Sequence, residues 1–525
     1  MCIPQNFKLG ILIAIMKDWT SGYVTDIGYT YGYYSELNPL RSTLAFINAG
    51  LVPPALNGAH CELGFGQGVS VNMHAAATCS SWYATDFNPA QASFAKSLAS
   101  KAGADLHLYD EGFSQFCARE DLPEFDSISL HGIWSWISDE NRSVIVDFVR
   151  RKLKVGGVLY VSYNTLPGWA GFAPLRHLMT QHAEVVGSVG EGTVSRVDSA
   201  LQFAKDLIAT EAAYAKANPA GAHLLESLAV KDRHYLAHEF FNKDWEPMHF
   251  ATMANWLQSA KLDFACSAHF IDQLDAVNLT SAQMQLIKKI SDPTFKQTTR
   301  DFMVNQQFRR DYWVKGARLL NPLERHEAMM KQLVVLISHR PDVPLKISGA
   351  LGEGALQADI YDPLLDLMAD HTPKTIGEIC AAFEHIDKQK IMQAVMVLTG
   401  AGHLCAAQDE ASIAQALKRT ESLNHYLMNR ARSAGDVAVL ASPVTGGGVP
   451  VDRFGQLFLL ALRQGKKDPK GWAQFVWQIL HLQNQNIMKD GKLLQSEDEN
   501  LAELLSQAKV FKEKRLPLLT ALKIT

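Results

Sequence analysis

Cysteine is scarce and scattered in this chain. Seven occur in 525 residues (Cys2, Cys61, Cys79, Cys117, Cys266, Cys380 and Cys405), an odd number with no C-x-x-C pair. That excludes a disulfide framework and suits free thiols in a reducing compartment. There is no H-E-x-x-H and no ligand cluster, so a metal site is unsupported. Charge of one sign is also missing: the formal net charge is −4, which argues against a general polyanion binder. Long apolar runs are lacking as well. Residues 9–16 imitate a targeting signal, but the run is too short for a membrane helix and has no convincing cleavage site. Residues 1–16 therefore read as an N-terminal extension, with Met16 as the functional start, and the chain is expected in the cytoplasm.

What is present is ordinary in bulk and unusual in one place. A hydrophobic content of 47% with 20% charged residues describes a soluble globular protein. The length calls for roughly two to four units, because a single core stops growing well short of it. The unusual stretch is Glu62-Leu-Gly-Phe-Gly-Gln-Gly68, followed by a second strand that closes on Asp86. Glycines at that density let the backbone turn from strand to helix and approach a ligand closely. A dinucleotide fingerprint would need a glycine at position 69, where Val69 stands. Glu62 would repel a pyrophosphate, yet it suits the positively charged amino acid end and sulfonium of S-adenosylmethionine. Asp86 is placed to accept from ribose hydroxyls.

Taken in order, a tyrosine-dense segment (Tyr23, Tyr29, Tyr31, Tyr33, Tyr34) precedes a regular alternation of strands and helices. Strands are expected at 59–63, 82–85, 105–109, 125–130 and 158–162, with helices at 69–77, 89–102 and 139–153. Gly156 and Gly157 turn the chain into the fifth strand, and Asp139 caps the third helix. This alternation signals a doubly wound α/β sheet, in which ligands gather at the carboxyl ends of the strands. Those ends carry Glu62, Asp86, Asp110-Glu111, His131 to Trp136 and Tyr163 to Trp169. Asp110 or Glu111 could accept from an adenine amine, with Phe113 against the ring. The expected organisation is a core over 17–173, a helical insertion over 174–260 able to act as a lid, and late antiparallel strands completing the core over 261–321. A separate, mainly α C-terminal domain follows over 322–525, winged-helix-like around 371–407. Its mixed charge favours a protein contact over DNA.

Glu62 to Gly68 with Asp86 resembles the class I S-adenosylmethionine-dependent methyltransferases, whose Rossmann-like sheet is the doubly wound kind. Tyr29-Thr-Tyr-Gly-Tyr-Tyr-Ser-Glu-Leu-Asn-Pro39, His131-Gly-Ile-Trp-Ser-Trp136, Tyr163-Asn-Thr-Leu-Pro-Gly-Trp169 and His238-Glu-Phe-Phe-Asn-Lys-Asp-Trp245 narrow the likeness. Together they resemble bacterial methyltransferases with a methyltransferase regulatory domain, the best-known of which modify lysines of outer-membrane proteins. The resemblance implies S-adenosylmethionine as cofactor, with contacts at Glu62, Gly64, Gly66, Gly68, Asp86, Asp110, Glu111 and His131. It also implies a substrate channel near the tyrosine-rich segment and Trp169. The implied partner is a protein substrate, such as an outer-membrane protein before export. From charge and run length no nucleic acid or membrane is expected, and the mixed charge of the C-terminal domain suits a homodimer formed through it. The Asn-Pro-Pro-Tyr signature of amide and adenine N-methyltransferases is missing after the fourth strand, which counts against a base methylase.

Methyl transfer from a sulfonium is an in-line displacement that asks for alignment and exclusion of water. A lysine acceptor must first lose its proton, since its ordinary pKa is about 10.4. Tyr31, Tyr33, Tyr163 and Asn164 are the candidates for holding the neutral amine, and Trp169 completes the candidate catalytic set. A small-molecule or O-methyltransferase, and a cofactor-binding regulator without catalysis, are the alternatives.

Overall fold

Seven strands make one sheet in the order β3-β2-β1-β4-β5-β7-β6. They are β1 (Ala59–Leu63), β2 (Ser81–Thr85), β3 (Leu106–Tyr109), β4 (Phe125–Leu130), β5 (Leu153–Asn164), β6 (Leu262–Ser267) and β7 (Phe308–Lys315). The first five run parallel, and β7 is antiparallel to both β5 and β6. This computed structural model describes Tyr23 and residues 30–187 and 192–525; the expected extension over 1–16 and Tyr29 lie outside the described residues. Among the described residues no helix is long and apolar enough to cross a membrane.

Strand order reverses between β1 and β4, so the carboxyl ends of β1, β2 and β4 splay around a crevice. Both faces are covered at the centre of the parallel part, so β1, β4 and the end of β5 are buried runs, while the edge strand β3 is only partly buried. The helix after β1, Val69–Ala77, is buried at all nine positions. A helix buried all round, here with Ser70, Asn72 and His74 among its residues, needs neighbours all round. They are the sheet, the helix Glu410–Arg430 and the hairpin Val439–Ser442/Gly447–Pro450.

Two local expectations shift. The fifth strand begins at Leu153, not Val158, because Gly156 and Gly157 lie within it where the β4 register slips between Phe125 and Ser127. Ser138, not Asp139, caps the helix Asp139–Lys152: its hydroxyl accepts from the Asn141 amide at 3.4 Å, while Asp139 sits in the first turn.

The insertion is helical and short of its expected end. Helices Ala173–Val185, Thr193–Ala209, Ala213–Ala217, Pro219–Leu228 and Arg233–Phe240 gather a small core of their own around Phe172, Leu201, Leu225 and Phe240. The next helix, Phe250–Gln258, packs instead on the sheet with Trp134 and Trp313. The C-terminal part over 322–525 is mainly helical, with a three-stranded antiparallel sheet of Leu333–Leu336, Lys374–Thr375 and Leu404–Ala406. Helices Ile376–Ala382 and Lys388–Gly400 stand between the last two of these. Apolar packing crosses the boundary at 322. Val69, Met73 and Leu98 share a core with Leu423, Leu440 and Trp472, while Leu44 and Phe46 share another with Val334 and Leu398.

Candidate active site

The crevice at the strand reversal holds a cavity of about 400 Å³. Its floor is the turn after β1. Gly64 has φ +74, and a Cβ there would meet the Ile133 side chain at 2.5 Å, so the backbone itself forms the cavity surface. Gly68, at φ +68, serves packing instead. A Cβ there would strike Ala95 Cβ at 2.5 Å, so the glycine lets the two flanking helices approach. It does not line the cavity.

Two acids close the first two strands. Glu62 is 3% exposed, and its Oε2 is buried with no hydrogen-bond partner. Burial, with the Asp86 charge beside it, pushes its carboxyl up to about 8. Asp86 accepts from the Gly66 amide (2.8 Å) and the Asn88 amide (2.9 Å), which ties the glycine turn to the end of β2. Burial still raises its carboxyl to about 6. From the end of β3, Glu111 accepts from Arg119 at 2.8 Å through one oxygen, and its other oxygen is buried without a partner. Asp110, half exposed, stands 3.5 Å from Lys96.

The far wall is aromatic. His131, at the end of β4, lies against Tyr34 with ring centroids 3.5 Å apart, and its Nδ1 is 2.8 Å from the Tyr160 hydroxyl. Burial lowers its imidazole to about 4, so the ring is neutral at pH 7. Tyr23, Phe87 and Trp136 complete that side, with Asp244 from the border of the insertion. The Trp136 indole donates to the Glu239 carbonyl at 3.4 Å, fastening the insertion to the β4 loop. A second fastening is Arg142, 2% exposed, which donates to the Trp134 carbonyl and pairs with Asp139 and Glu246.

Seven of the sequence-expected cofactor residues therefore meet in one cavity: Glu62, Gly64, Gly66, Asp86, Asp110, Glu111 and His131. These residues fit S-adenosylmethionine. Glu62 Oε2 is a buried acceptor without a partner, suited to a cationic donor once the carboxyl releases its proton, and the turn beside it would be filled by a Cβ.

The expected catalytic residues do not join them. Tyr31 packs edge-on against Phe94, under Arg430. Tyr33 is seated between His74 and the Gly447-Gly448 backbone of the C-terminal hairpin. Tyr163 is fully buried and donates to Asp311 Oδ2 at 2.9 Å, inside the sheet. Asn164 is buried at the end of β5, where its amide donates to the Ser135 hydroxyl at 2.8 Å. Trp169 packs with Phe172, Phe240 and Trp245 in the root of the insertion, its indole donating to the Gln307 carbonyl at 2.7 Å. Of the tyrosine segment, Tyr34 and Tyr23 line the cavity instead. The tyrosine cluster and the Trp136 motif were the available sequence signals, but neither reveals which ring faces inward.

Known proteins bear on the fold and the family. The family model described as a predicted methyltransferase regulatory domain matches residues 232–315. In space that span is no separate domain, since it supplies β6 and β7 with the helices between them. The uncharacterised protein sll1526 of Synechocystis is 40% identical over 515 residues, covering 97% of this chain and 100% of that one. RP789 of Rickettsia prowazekii, also uncharacterised, is 25% identical over 328 residues, 61% of this chain and 57% of that one. Among solved structures, PKMT2 from Rickettsia typhi superposes with a TM-score of 0.66 at 17% identity, covering 93% of this chain and 99% of that one. Its complex with AdoHcy gives 0.65 over the same shares. At that identity the likeness is one of fold.

Proposed function

We propose that the cavity serves methyl transfer to the side-chain amine of a protein lysine; the premise is that this chain belongs to the methyltransferase-regulatory-domain family of class I S-adenosylmethionine-dependent methyltransferases. When bound, the cofactor supplies a methyl group activated by its sulfonium. Everything else falls to the chain. Glu62 offers a dehydrated carboxylate to the ammonium of the amino acid end, and the Gly64–Gly66 turn admits it at backbone distance. Asp86 holds that turn in shape while its remaining acceptor capacity faces the cavity.

The observation that carries the lysine reading is the aromatic wall of Tyr23, Tyr34, neutral His131 and Trp136 beside the cofactor turn. An amine surrounded by apolar faces is driven toward its neutral, nucleophilic form, because burial disfavours the cation. Asp244 at the insertion border adds a negative charge that would draw a lysine inward before it is desolvated. We place the reaction in the cytoplasm, a reading supported by the six free thiols among the described cysteines.

The test is incubation of the purified chain with methyl-labelled cofactor and a cell lysate, in parallel with a lysate whose lysines have been acetylated. Label in protein that disappears on acetylation supports the reading. Label in the metabolite fraction alone replaces it with a small-molecule methyltransferase.

A further inference from the structure

A second cavity, of about 450 Å³, lies at the antiparallel edge of the sheet, between β6, β7 and the helices Ser281–Lys288 and Pro293–Val304. Strand alternation gives β7 two faces, one backing the aromatic wall of the first cavity and one lining the second. Phe308 meets His131, and Arg310 and Tyr312 bond to Glu36, on the side of the aromatic wall. Arg309 and Asp311 point the other way and line the second cavity.

Its floor is a buried ion cluster. The Arg309 guanidinium donates to Asp311 Oδ2 (2.7 Å), Asp301 Oδ1 (2.6 Å) and Gln297 Oε1 (3.2 Å), and the Tyr163 hydroxyl donates to Asp311. Asp301 and Asp311 are 2% and 1% exposed. Two carboxylates thus share one guanidinium, which leaves a negative charge uncompensated in a dehydrated place. Asp301 Oδ2 is buried with no hydrogen-bond partner. A lone pair left in that state is costly, and a ligand donor would relieve it. Arg300 is not available to do so: it is committed to Asp275 and to the Asp272 carbonyl, both at 2.6 Å. At the rim stand Lys288, exposed, and Lys296, half-buried, neither ion-paired among the described residues.

We propose that this cavity binds a small zwitterion of the amino acid class, its ammonium on Asp301 and its carboxylate toward Lys288 and Lys296. The volume is that of a small-molecule site. A simple cation would meet the rim lysines, and a simple anion would meet the uncompensated acid, so a ligand carrying both charges suits the cavity better than either. Occupancy would brace β7, whose opposite face supports His131 through Phe308 and Glu36 through Arg310. Binding is therefore expected to change turnover at the first cavity, through the strand that lines the second cavity and backs His131 of the first.

The experiment screens the free proteinogenic amino acids against the full chain by calorimetry, with S-adenosylhomocysteine at saturation so that the first cavity is filled. At least one should bind, and its decarboxylated amine and its deaminated acid should each bind at least about tenfold more weakly. Asp301→Asn should remove binding while leaving affinity for S-adenosylhomocysteine unchanged. Lys288→Ala with Lys296→Ala, at positions where folding is not at stake, should weaken it by at least about tenfold. Absence of any amino acid binding, or binding that the rim lysine variants leave intact, overturns the proposal.

Discussion

Tyr34 lies flat on His131, ring centroids 3.5 Å apart and planes inclined by 22°, so the segment before the first strand and the end of β4 form one wall of the cavity. The Tyr160 hydroxyl holds the imidazole from its other edge at 2.8 Å, and Phe308 meets it edge-on from β7. The wall is thereby fixed from three elements before any acceptor enters. That rigidity matters because methyl transfer depends on approach distance and angle more than on any proton relay.

Tyr34→Ala should lower turnover more than it lowers cofactor affinity. The stack is worth about 0.5–1.5 kcal/mol, and its loss frees the imidazole to rotate. Tyr34→Phe keeps the stack and should retain most of the activity. Steady-state kinetics beside calorimetric titration with S-adenosylhomocysteine separates the two; an equal fall in affinity and turnover would assign Tyr34 to the cofactor alone.

Glu62→Gln should weaken binding of S-adenosylhomocysteine by about 10- to 100-fold, the worth of a hydrogen bond to a charged group. It should also change the pH dependence. In the free protein the Glu62 carboxyl is pushed up to about 8, so below that pH it must release a proton to receive an ammonium. Affinity is then expected to rise with pH and level off above about 8, with proton release seen as buffer-dependent heat.

The same group sets a stability trend in the opposite direction. Its folded-state pKa lies above the ordinary 4.5, so the folded protein binds the extra proton and stability falls as pH rises from 4.5 through 8. Asp86, raised from 3.8 to about 6, adds to the fall over the lower part of that window. Thermal unfolding of ligand-free Glu62→Gln at pH 8 should therefore occur at a higher temperature than that of the native chain, although the variant binds cofactor less well.

Tyr163→Phe should leave turnover close to native while costing about 1–3 kcal/mol of stability, because it strips a donor from buried Asp311. A large fall in turnover with unchanged stability would return Tyr163 to the chemistry.

Gly64→Ala should abolish cofactor binding and lower the melting temperature together. The new Cβ would press on Ile133 in a left-handed backbone that alanine resists.

Much of the site was legible in the sequence because parallel strands end where their apolar runs stop. Asp86, Asp110 and His131 directly follow such a run, Glu111 comes one residue later and Glu62 is the last residue but one of β1, and the strand reversal brings these ends together. Tyr163 and Asn164 also end one, but β5 lies beyond the reversal, with β7 paired along it and the insertion rooted at its end. The same reading therefore placed them in a cavity they do not reach. Tyr31 and Tyr33 were misjudged for another reason. Their partners, Arg430 and the Gly447-Gly448 hairpin, come from the far end of the chain, and no local pattern announces them.

The sequence by itself determined the turn, the acids beside it and the alternation that makes the sheet, because glycine conformation, charge and strand length are local properties. Only the tertiary structure decided which tyrosines line the cavity, that Gly68 serves helix packing, and that β7 backs His131 with one face and lines the second cavity with the other. Those outcomes depend on which side of a strand or segment is covered by residues hundreds of positions away.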